Sequence, residues 1–306
     1  MRPLQYISQA LVAEKHDRSH CHAALLAGRA VVRVAGADAA KLLQGLITND
    51  IDKARDGTAI HAGLLTPQGK ILFDFFVVPF EDGFLLEVAA GQAADLVKRL
   101  GFYKLRANVE IKEEPSFAVG AAWGGRPHAP PDSILYADPR FAELGSRLLL
   151  PAPASLAVLG CERASEADYH AMRIGLGVPE GGQDYAYGDA FPHEALFDQL
   201  NSVDFRKGCF VGQEVVSRME HRGTARKRVV PVEGAGRLPP AGTSIEAGAI
   251  ALGTLGSVSG SHGLALMRLD RAEEALAAGG QLRAGDVTVT LNRPRFASFP
   301  IPSRSA

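Results

Sequence analysis

The side chains best suited to chemistry surround a cysteine that lies between two glycines. Residues 207–214 read K-G-C-F-V-G-Q-E, so Cys209 lies close to Lys207 and just upstream of Gln213 and Glu214. A cysteine that only fills space normally lies in an apolar run, where burial raises its pKa and leaves it inert. Glycines let the backbone approach a partner closely, and a nearby positive charge favours the thiolate. The segment predicts a reactive surface thiol; the alternative is a tight turn with an incidental cysteine.

A second candidate is a carboxylate inside an apolar strand. Asp74 interrupts residues 71–78, which read I-L-F-D-F-F-V-V. Burying a carboxylate without partners costs several kcal/mol, so Asp74 must be hydrogen-bonded, neutral, or turned into a cavity that binds a polar ligand. The alternative is a solvent-facing position on an edge strand, which the nearby Pro79 would permit.

Cysteine usage and charge narrow the compartments and partners. Cys21, Cys161 and Cys209 are odd in number, widely spaced and free of a C-x-x-C pair, so they predict neither a disulfide framework nor a closed zinc site. A reducing cytoplasm fits this pattern. The 33 basic and 34 acidic side chains give a net charge of -1. No global attraction for nucleic acid or an anionic membrane follows, so no membrane partner is expected, and any such contact must be a local patch.

Two further clusters have metal-binding or anion-binding residue types. Residues 20–22 read H-C-H with His16 upstream, but adjacent residues of an extended chain point to opposite faces and a fourth ligand is missing. The second cluster is a basic tract able to hold a polyanion such as polyglutamate or RNA phosphates: Arg218, His221, Arg222, Arg226, Lys227 and Arg228. A solvated basic face is the commoner explanation, so direct nucleic-acid binding is not expected. Hydrolase and nucleotide motifs such as G-x-S-x-G and G-x-G-x-x-G are absent.

Hydrophobic periodicity predicts an α+β protein with mixed, mostly antiparallel sheets. The predicted strands before the middle of the chain are 30–34, 59–65, 70–80, 84–89, 109–111 and 117–121. Helices are predicted after Gly36, around residues 93–100, and between Ser165 and Gly175. Beyond Arg228, short apolar segments separated by Gly, Pro and Ser turns predict a small β-barrel. We expect a module over 1–224, with an irregular proline-rich connection at about 124–160, and a barrel domain over 225–306.

Residues 207–214 closely resemble the signature K-G-C-[FY]-x-G-Q-E of the YgfZ family, folate-binding proteins that assist iron-sulfur cluster assembly or maintenance. Further blocks resemble that family in the same order: residues 43–50, 68–70, 173–180, 191–194 and 222–223. The resemblance covers most of the chain. The glycine-cleavage T-protein, a tetrahydrofolate-dependent aminomethyltransferase, shares this architecture. The resemblance therefore implies a three-part, ring-like molecule with a folate cavity and a C-terminal barrel.

Departures from the T-protein pattern separate the two functions. Gly175 stands where the T-protein is expected to carry its pterin-binding glutamate, so a carboxylate acceptor is missing there. Asp74 aligns with the T-protein's catalytic aspartate, which keeps one-carbon chemistry as an alternative. Cys209 has no counterpart in the related T-protein loop, which resembles D-F-I-G-x-E. The resemblance therefore favours sulfur chemistry.

The resulting hypothesis is an accessory factor, and not an ordinary enzyme, that binds tetrahydrofolate or a folate derivative near Asp74 and Asn49 and presents Cys209 for iron-sulfur chemistry. Cys209, Lys207 and Asp74 are the candidate reactive residues. The candidate ligand-binding residues are Asn49, Asp74, Arg173, Glu194, Gln213 and Arg222. Cys209 would ligate a cluster transiently, shared with a partner such as an A-type carrier that serves client proteins, and any effect on tRNA thiomodification would be indirect. The alternative is a tetrahydrofolate-dependent aminomethyl- or methyltransferase in which Asp74 positions the substrate amine.

Overall fold

The computed structural model describes residues 20–55, 58–223 and 225–303, so His16 of the histidine tract lies outside the described residues. The chain divides into two compact units. Unit 1 comprises Met1–Gln44, Asp50–His61 and Phe75–Glu166, and unit 2 comprises Gly45–Asn49, Ala62–Asp74 and Ala167–Ala306. Both units are therefore discontinuous in sequence. The expected domain boundary near residue 225 stays a prediction.

The described residues contain sixteen strands and five α-helices, which confirms the predicted α+β class. The strands that precede the barrel are β1 (His22–Leu25), β2 (Arg29–Ala35), β3 (Ile60–Leu65), β4 (Ile71–Phe80), β5 (Gly83–Ala89), β6 (Glu110–Glu113), β7 (Phe117–Trp123), β8 (Ile134–Ala137), β9 (Ser146–Pro151) and β10 (Glu162–Arg163). The helices are α1 (Ala39–Gln44), α2 (Ala93–Lys104), α3 (Glu166–Leu176), α4 (Gln213–Arg222) and α5 (Leu269–Ala277).

Two five-stranded sheets organise the first ten strands. One lies entirely in unit 1 and has the order β10-β1-β7-β9-β8, and the other has the order β3-β4-β5-β2-β6. Strand β4 lies between β3 and β5, so Asp74 belongs to an interior strand and the edge-strand alternative for this residue is wrong. The physical reason is visible in the sequence of β4, because a nearly continuous apolar run is typical of a strand buried on both faces.

Cys21 and Cys161 form a disulfide within unit 1, which corrects the expectation that the cysteines do not pair. The two residues are 140 positions apart, yet each comes directly before a strand of the same sheet. Strands β1 and β10 pair in parallel with His22 opposite Glu162, so the preceding residues lie side by side. Sequence spacing could not reveal this pairing because it depends on the strand order.

A buried charge cluster lies in unit 1 around the fully buried Glu87 of β5. Its carboxylate accepts hydrogen bonds from Arg29 Nε at 3.0 Å, Arg147 Nε at 3.1 Å and the Tyr136 hydroxyl at 2.6 Å. The guanidinium of Arg147 also lies 4.6 Å from the ring centre of Phe76. Burial raises the pKa of Glu87, but Arg147 and Arg29 outweigh that effect and hold the pKa below its ordinary value of 4.5. Glu87 is therefore a carboxylate in the folded protein at neutral pH.

The C-terminal part of unit 2 is a closed six-stranded barrel, which confirms the predicted β-barrel. Its strands are β11 (Lys227–Gly234), β12 (Ser244–Ala247), β13 (Ile250–Ser259), β14 (His262–Arg268), β15 (Leu282–Ala284) and β16 (Val287–Leu291). Their order is β11-β14-β13-β12-β15-β16, and β16 pairs with β11 to close the sheet. Inward-facing residues such as Val230, Ile245 and Met267 fill the interior. Of the helices in the described ranges, none has the length and apolar character that a bilayer crossing requires.

Candidate functional site

The cysteine loop, which we define as residues 207–212, lies in unit 2 and alternates between buried and exposed positions. Lys207 and Phe210 are each only 8% exposed, whereas Gly208 and Cys209 between them are exposed. Cys209 is a free thiol, and its predicted exposure is confirmed. Two buried anchors three positions apart thus hold the backbone on both sides and leave the thiol facing solvent.

Backbone carbonyl groups hold the ammonium group of Lys207. Its Nζ donates hydrogen bonds to the oxygen of Ile47 at 2.6 Å and to that of Asn49 at 2.9 Å. The same atom lies 5.3 Å from the ring centre of Phe210, within range of a cation–π interaction. These contacts give Lys207 a structural task in the loop. Its predicted electrostatic effect on Cys209 stays a prediction.

Residues 45–49 form the other side of the Lys207 contact, and further bonds fasten them to the segment before the cysteine loop. The Thr48 hydroxyl donates to the Ser202 carbonyl at 2.6 Å, and the Asp204 amide donates to the Thr48 carbonyl at 3.0 Å. The buried Asn49 donates through Nδ2 to the Asn201 carbonyl at 2.7 Å. The structure therefore brings Asn49 and Lys207, two predicted site residues, into direct contact.

Gly212 ends the cysteine loop in a left-handed conformation with φ 81°. A Cβ atom at this position would lie 2.5 Å from the Thr66 carbonyl oxygen and 3.0 Å from the Gly69 Cα. Both atoms belong to the tight turn between β3 and β4. Only glycine combines this conformation with so close an approach, which explains a second glycine in the K-G-C-F-V-G-Q-E segment.

Asp74 is buried, with 4% exposure, and its Oδ1 accepts a hydrogen bond from the hydroxyl of Tyr187. The prediction that this buried carboxylate is hydrogen-bonded is therefore confirmed. Gly181 lies against the pair, since a Cβ there would be 2.5 Å from Asp74 Oδ1. Tyr187 was not among the predicted residues. The sequence indicates this residue only indirectly: a buried Asp74 requires a hydrogen-bond donor, but the sequence does not show which residue supplies it.

Arg173 is 2% exposed, and other residues of unit 2 take up its guanidinium group. Nη1 donates to Asp184 Oδ2 at 2.8 Å and to the Val178 carbonyl at 3.1 Å. Nη2 donates to the Ser257 hydroxyl at 2.7 Å, and Nε donates to His170 Nδ1 at 2.9 Å. Arg173 thus joins α3, the following segment and β13. Its predicted contact with a ligand stays a prediction.

The three other predicted ligand-binding residues lie at separate points of unit 2. Glu194 accepts a hydrogen bond from the Phe191 amide at 3.0 Å and caps its own turn. Gln213 is the first residue of α4 and half-buried, whereas Arg222 is the last residue and exposed. Among the residues that the structure describes, no hydrogen bond or ion pair joins Glu194, Gln213 and Arg222 to one another.

The basic tract is not one continuous surface. Arg222 and Arg226 are exposed, but Arg228 is 7% exposed and donates to both carboxylate oxygens of Asp198 at 2.9 Å. Arg228 is therefore unavailable to a polyanion, which corrects the inclusion of this residue in a candidate RNA-binding tract. The sequence does not indicate the role of Asp198, because its partner lies 30 positions away.

One group of side chains has the residue types of a metal site. The ligand atoms of His193, Asp198 and Glu220 lie within 4.8 Å of one another, and His193 Nε2 is 2.9 Å from Glu220 Oε2. Arg228 already binds both oxygens of Asp198, and its positive charge opposes a cation at this place. The group is therefore explained by two contacts, His193 with Glu220 of α4 and Asp198 with Arg228 of β11.

Comparisons with known proteins identify relatives and fold. Residues 1–118 match the family model of the GCVT N-terminal domain, and residues 226–299 match that of the CAF17 C-terminal beta-barrel domain. The iron-sulfur cluster assembly factor IBA57, mitochondrial, of Homo sapiens is 34% identical over 270 residues, covering 79% of this chain and 76% of the human protein. The glycine cleavage system aminomethyltransferase T from Bartonella henselae has a TM-score of 0.72 at 16% identity, covering 94% of this chain and 89% of that chain. The last likeness concerns the fold.

Fungal relatives are longer than this chain. The mitochondrial IBA57 homologs of Neurospora crassa and Mycosarcoma maydis are 36% and 37% identical, over 67% and 70% of this chain. The chain spans only 52% and 58% of their respective lengths. The predicted cytoplasmic location is wrong, because the characterised relatives are mitochondrial proteins. A sparse cysteine content cannot make this distinction, since it reports redox conditions and not the compartment itself.

Proposed function

Since the chain belongs to the family of the iron-sulfur cluster assembly factors IBA57, we propose that it takes part in iron-sulfur cluster assembly or maintenance through the thiol of Cys209. The observation that carries the proposal is the presentation of this free thiol between two buried anchors, Lys207 and Phe210. We also propose the narrower kinship with the YgfZ proteins. Its support is the K-G-C-F-V-G-Q-E segment, in which both anchors and Gly212 have a structural role.

The chemistry proposed for Cys209 is ligation of iron in a cluster that the protein handles as cargo. Thiolates are the usual ligands of iron in such clusters, and a cluster normally needs four protein ligands. Cys21 and Cys161 are joined in a disulfide, so Cys209 is the free thiol of the chain. A single thiol on an exposed loop suits a shared site, in which a partner supplies the other ligands. We propose an A-type cluster carrier as that partner, with client iron-sulfur proteins downstream.

We propose that a tetrahydrofolate-type molecule binds in unit 2 near Asp74 and Asn49. A carboxylate and an amide are the types of group that can pair with the N–H and carbonyl edge of a pterin. A side chain at Gly175 would meet nothing within 4 Å, so open space exists where the resemblance to the T-protein expects a glutamate. When bound, the folate supplies a carrier for one-carbon units. Arg173 would act by positioning its neighbours, since they occupy its guanidinium.

The remaining proposed ligand contacts are Glu194, Gln213 and Arg222, of which the exposed Arg222 is suited to the anionic glutamate end of a folate. An influence on tRNA thiomodification would be indirect, through iron-sulfur enzymes that perform it. The burial of Arg228 in its pair with Asp198 supports an indirect effect over direct RNA binding, because it removes one cation from the tract that would contact RNA.

The decisive experiment is anaerobic reconstitution with ferric iron and a sulfide source, with and without an A-type carrier. The readout is the visible absorbance of the cluster on the isolated complex. Wild type should form a cluster-bearing complex with the carrier, and Cys209→Ser should lose it while its circular dichroism stays unchanged, because the side chain is exposed. The double variant Cys21→Ser/Cys161→Ser is the matched control, since it removes two sulfur atoms and keeps Cys209. Full cluster formation by Cys209→Ser would contradict the proposal.

A further inference from the structure

The C-terminal end of helix α2 in unit 1 exposes two large apolar side chains. Phe102 is 65% exposed and Leu105 is 88% exposed. Across the residues that the structure describes, the exposed large hydrophobic side chains are those of Phe102, Leu105, Val158, Phe205 and Ile250. Phe102 and Leu105 are the most exposed of this set, and they lie three positions apart. Scattered apolar residues on a surface are normal, whereas an adjacent pair at this exposure points to a contact surface.

The packing of α2 explains why this pair faces away from the core. Ala93, Leu96 and Leu100 are the buried residues of the helix. At 3.6 residues per turn, Phe102 lies about 160° around the axis from Leu100, on the opposite side. Leu105 follows the last helical residue and has a positive φ of 45° with ψ -108°, a conformation that ends the helix and turns the chain. Neither side chain contributes to the interior of unit 1.

Positive charges surround the apolar pair. Residues 96–109 read L-V-K-R-L-G-F-Y-K-L-R-A-N-V, with four basic side chains and no carboxylate. Lys98, Arg99 and Arg106 are exposed and Lys104 is half-buried. Lys98 and Arg99 lie four and three positions before Phe102, so the three side chains share one face of the helix. In the described part of the chain, no residue forms an ion pair with any of the four cations.

We propose that this α2 tip, defined by Lys98, Arg99, Phe102, Lys104, Leu105 and Arg106, binds the surface of an anionic lipid bilayer. The apolar side chains would enter the boundary between headgroups and acyl chains, and the basic side chains would contact lipid phosphates. The chain as a whole has a net charge of -1, so the attraction is local to this tip. The half-buried Tyr103 has the amphipathic side chain that is enriched at membrane interfaces.

Shape and charge together favour a bilayer over a protein partner. The side chains protrude from the end of a helix, as the exposures of 65% and 88% indicate. A protein would need a preformed acidic pocket around this protrusion, whereas a fluid lipid surface adapts to it. The pattern of basic residues around exposed aromatic and leucine side chains is that of peripheral membrane segments. Such attachment is reversible and depends on salt, because two apolar side chains alone bind a bilayer weakly.

The test is co-sedimentation of the full chain with vesicles of phosphatidylcholine alone or of phosphatidylcholine mixed with phosphatidylglycerol. Wild type should sediment with the mixed vesicles, should remain in solution with neutral vesicles, and should dissociate at high salt. Phe102→Ser/Leu105→Ser should reduce the partition coefficient at least tenfold, and Lys98→Glu/Arg99→Glu should reduce it similarly. The matched control is Val158→Ser/Ile250→Ser, which removes two apolar side chains that are 58% and 56% exposed elsewhere and should leave partition unchanged.

Three results would overturn the proposal. The first is equal sedimentation of the chain with neutral and mixed vesicles, and the second is unchanged binding by Phe102→Ser/Leu105→Ser. The third is that wild type forms a concentration-dependent dimer and does not bind vesicles, and that Phe102→Ser/Leu105→Ser is monomeric. This result would assign the α2 tip to a contact with a second copy of the chain. The circular dichroism of Phe102→Ser/Leu105→Ser and of Val158→Ser/Ile250→Ser should match that of wild type, since the four replaced side chains are exposed.

Discussion

Replacing Lys207 with methionine keeps most of the aliphatic stem and removes the ammonium group that donates to the Ile47 and Asn49 carbonyls at 2.6 and 2.9 Å. Two hydrogen bonds to a charged donor contribute about 3–6 kcal/mol together. The variant no longer has to bury a charge, which offsets part of this loss, so we expect a net decrease of about 2–4 kcal/mol in the free energy of unfolding.

The assay combines urea unfolding with amide hydrogen exchange of the peptide that contains residues 207–210. Because each 1.4 kcal/mol corresponds to about a factor of ten, exchange in this peptide should accelerate roughly 30-fold to 1,000-fold. Peptides of unit 1 should change less, because Lys207 and its two partners belong to unit 2.

Arg206→Met is the matched control, since it removes a neighbouring positive charge from an exposed position. Its effect should stay within about 0.5 kcal/mol, as is usual for surface substitutions. If Lys207→Met were as stable as this control, or if both variants lost stability equally, the ammonium would not be an anchor of the cysteine loop. The explanation for the exposure of Cys209 would then fail.

Two further predictions concern Glu87 and Gly175. Glu87→Gln should lower the free energy of unfolding by about 3–5 kcal/mol at neutral pH, because Arg29 and Arg147 lose their buried carboxylate. Since the folded pKa of Glu87 lies below 4.5, wild type should lose stability as the pH falls from about 4.5 through that lower pKa. Glu87→Gln should lose less stability over this pH range. If the urea midpoints of wild type and variant changed equally with pH, this account would be contradicted. Gly175→Glu should raise the affinity for tetrahydrofolate tenfold or more by calorimetry, since a charge-assisted hydrogen bond contributes about 1.5–3 kcal/mol. An affinity equal to that of Gly175→Ala would place the folate elsewhere.

Local features of the sequence were enough to predict several parts of the structure. The apolar run around Asp74 predicted strand β4, because burial on both faces demands continuous apolar residues. The glycine and lysine beside Cys209 predicted an exposed thiol, and the barrel followed from short apolar segments separated by turn residues. In each case the determining interactions lie within a few positions of one another.

Helix α4 is an element that local sequence features do not predict. Its residues read Q-E-V-V-S-R-M-E-H-R, and the apolar residues Val215, Val216 and Met219 cover only about one turn, which is too short a pattern to predict a helix. Long-range pairs were equally hidden. The Tyr187 hydroxyl and Asp74 are 113 positions apart, and the disulfide partners are 140 positions apart. No composition or periodicity encodes these partners, because they depend on the arrangement of the strands.

The discontinuity of unit 2 has a consequence for the synthesis of the protein and for its dissection into fragments. Lys207 depends on carbonyl groups that the ribosome adds about 160 residues earlier, and Gly212 packs on a turn that is nearly as distant in the chain. A gene fragment that starts after Asp74 would encode the cysteine and the whole barrel but neither of these early stretches. Its product would carry the sulfur atom without the scaffold that presents it, so complementation should require the early coding region as well.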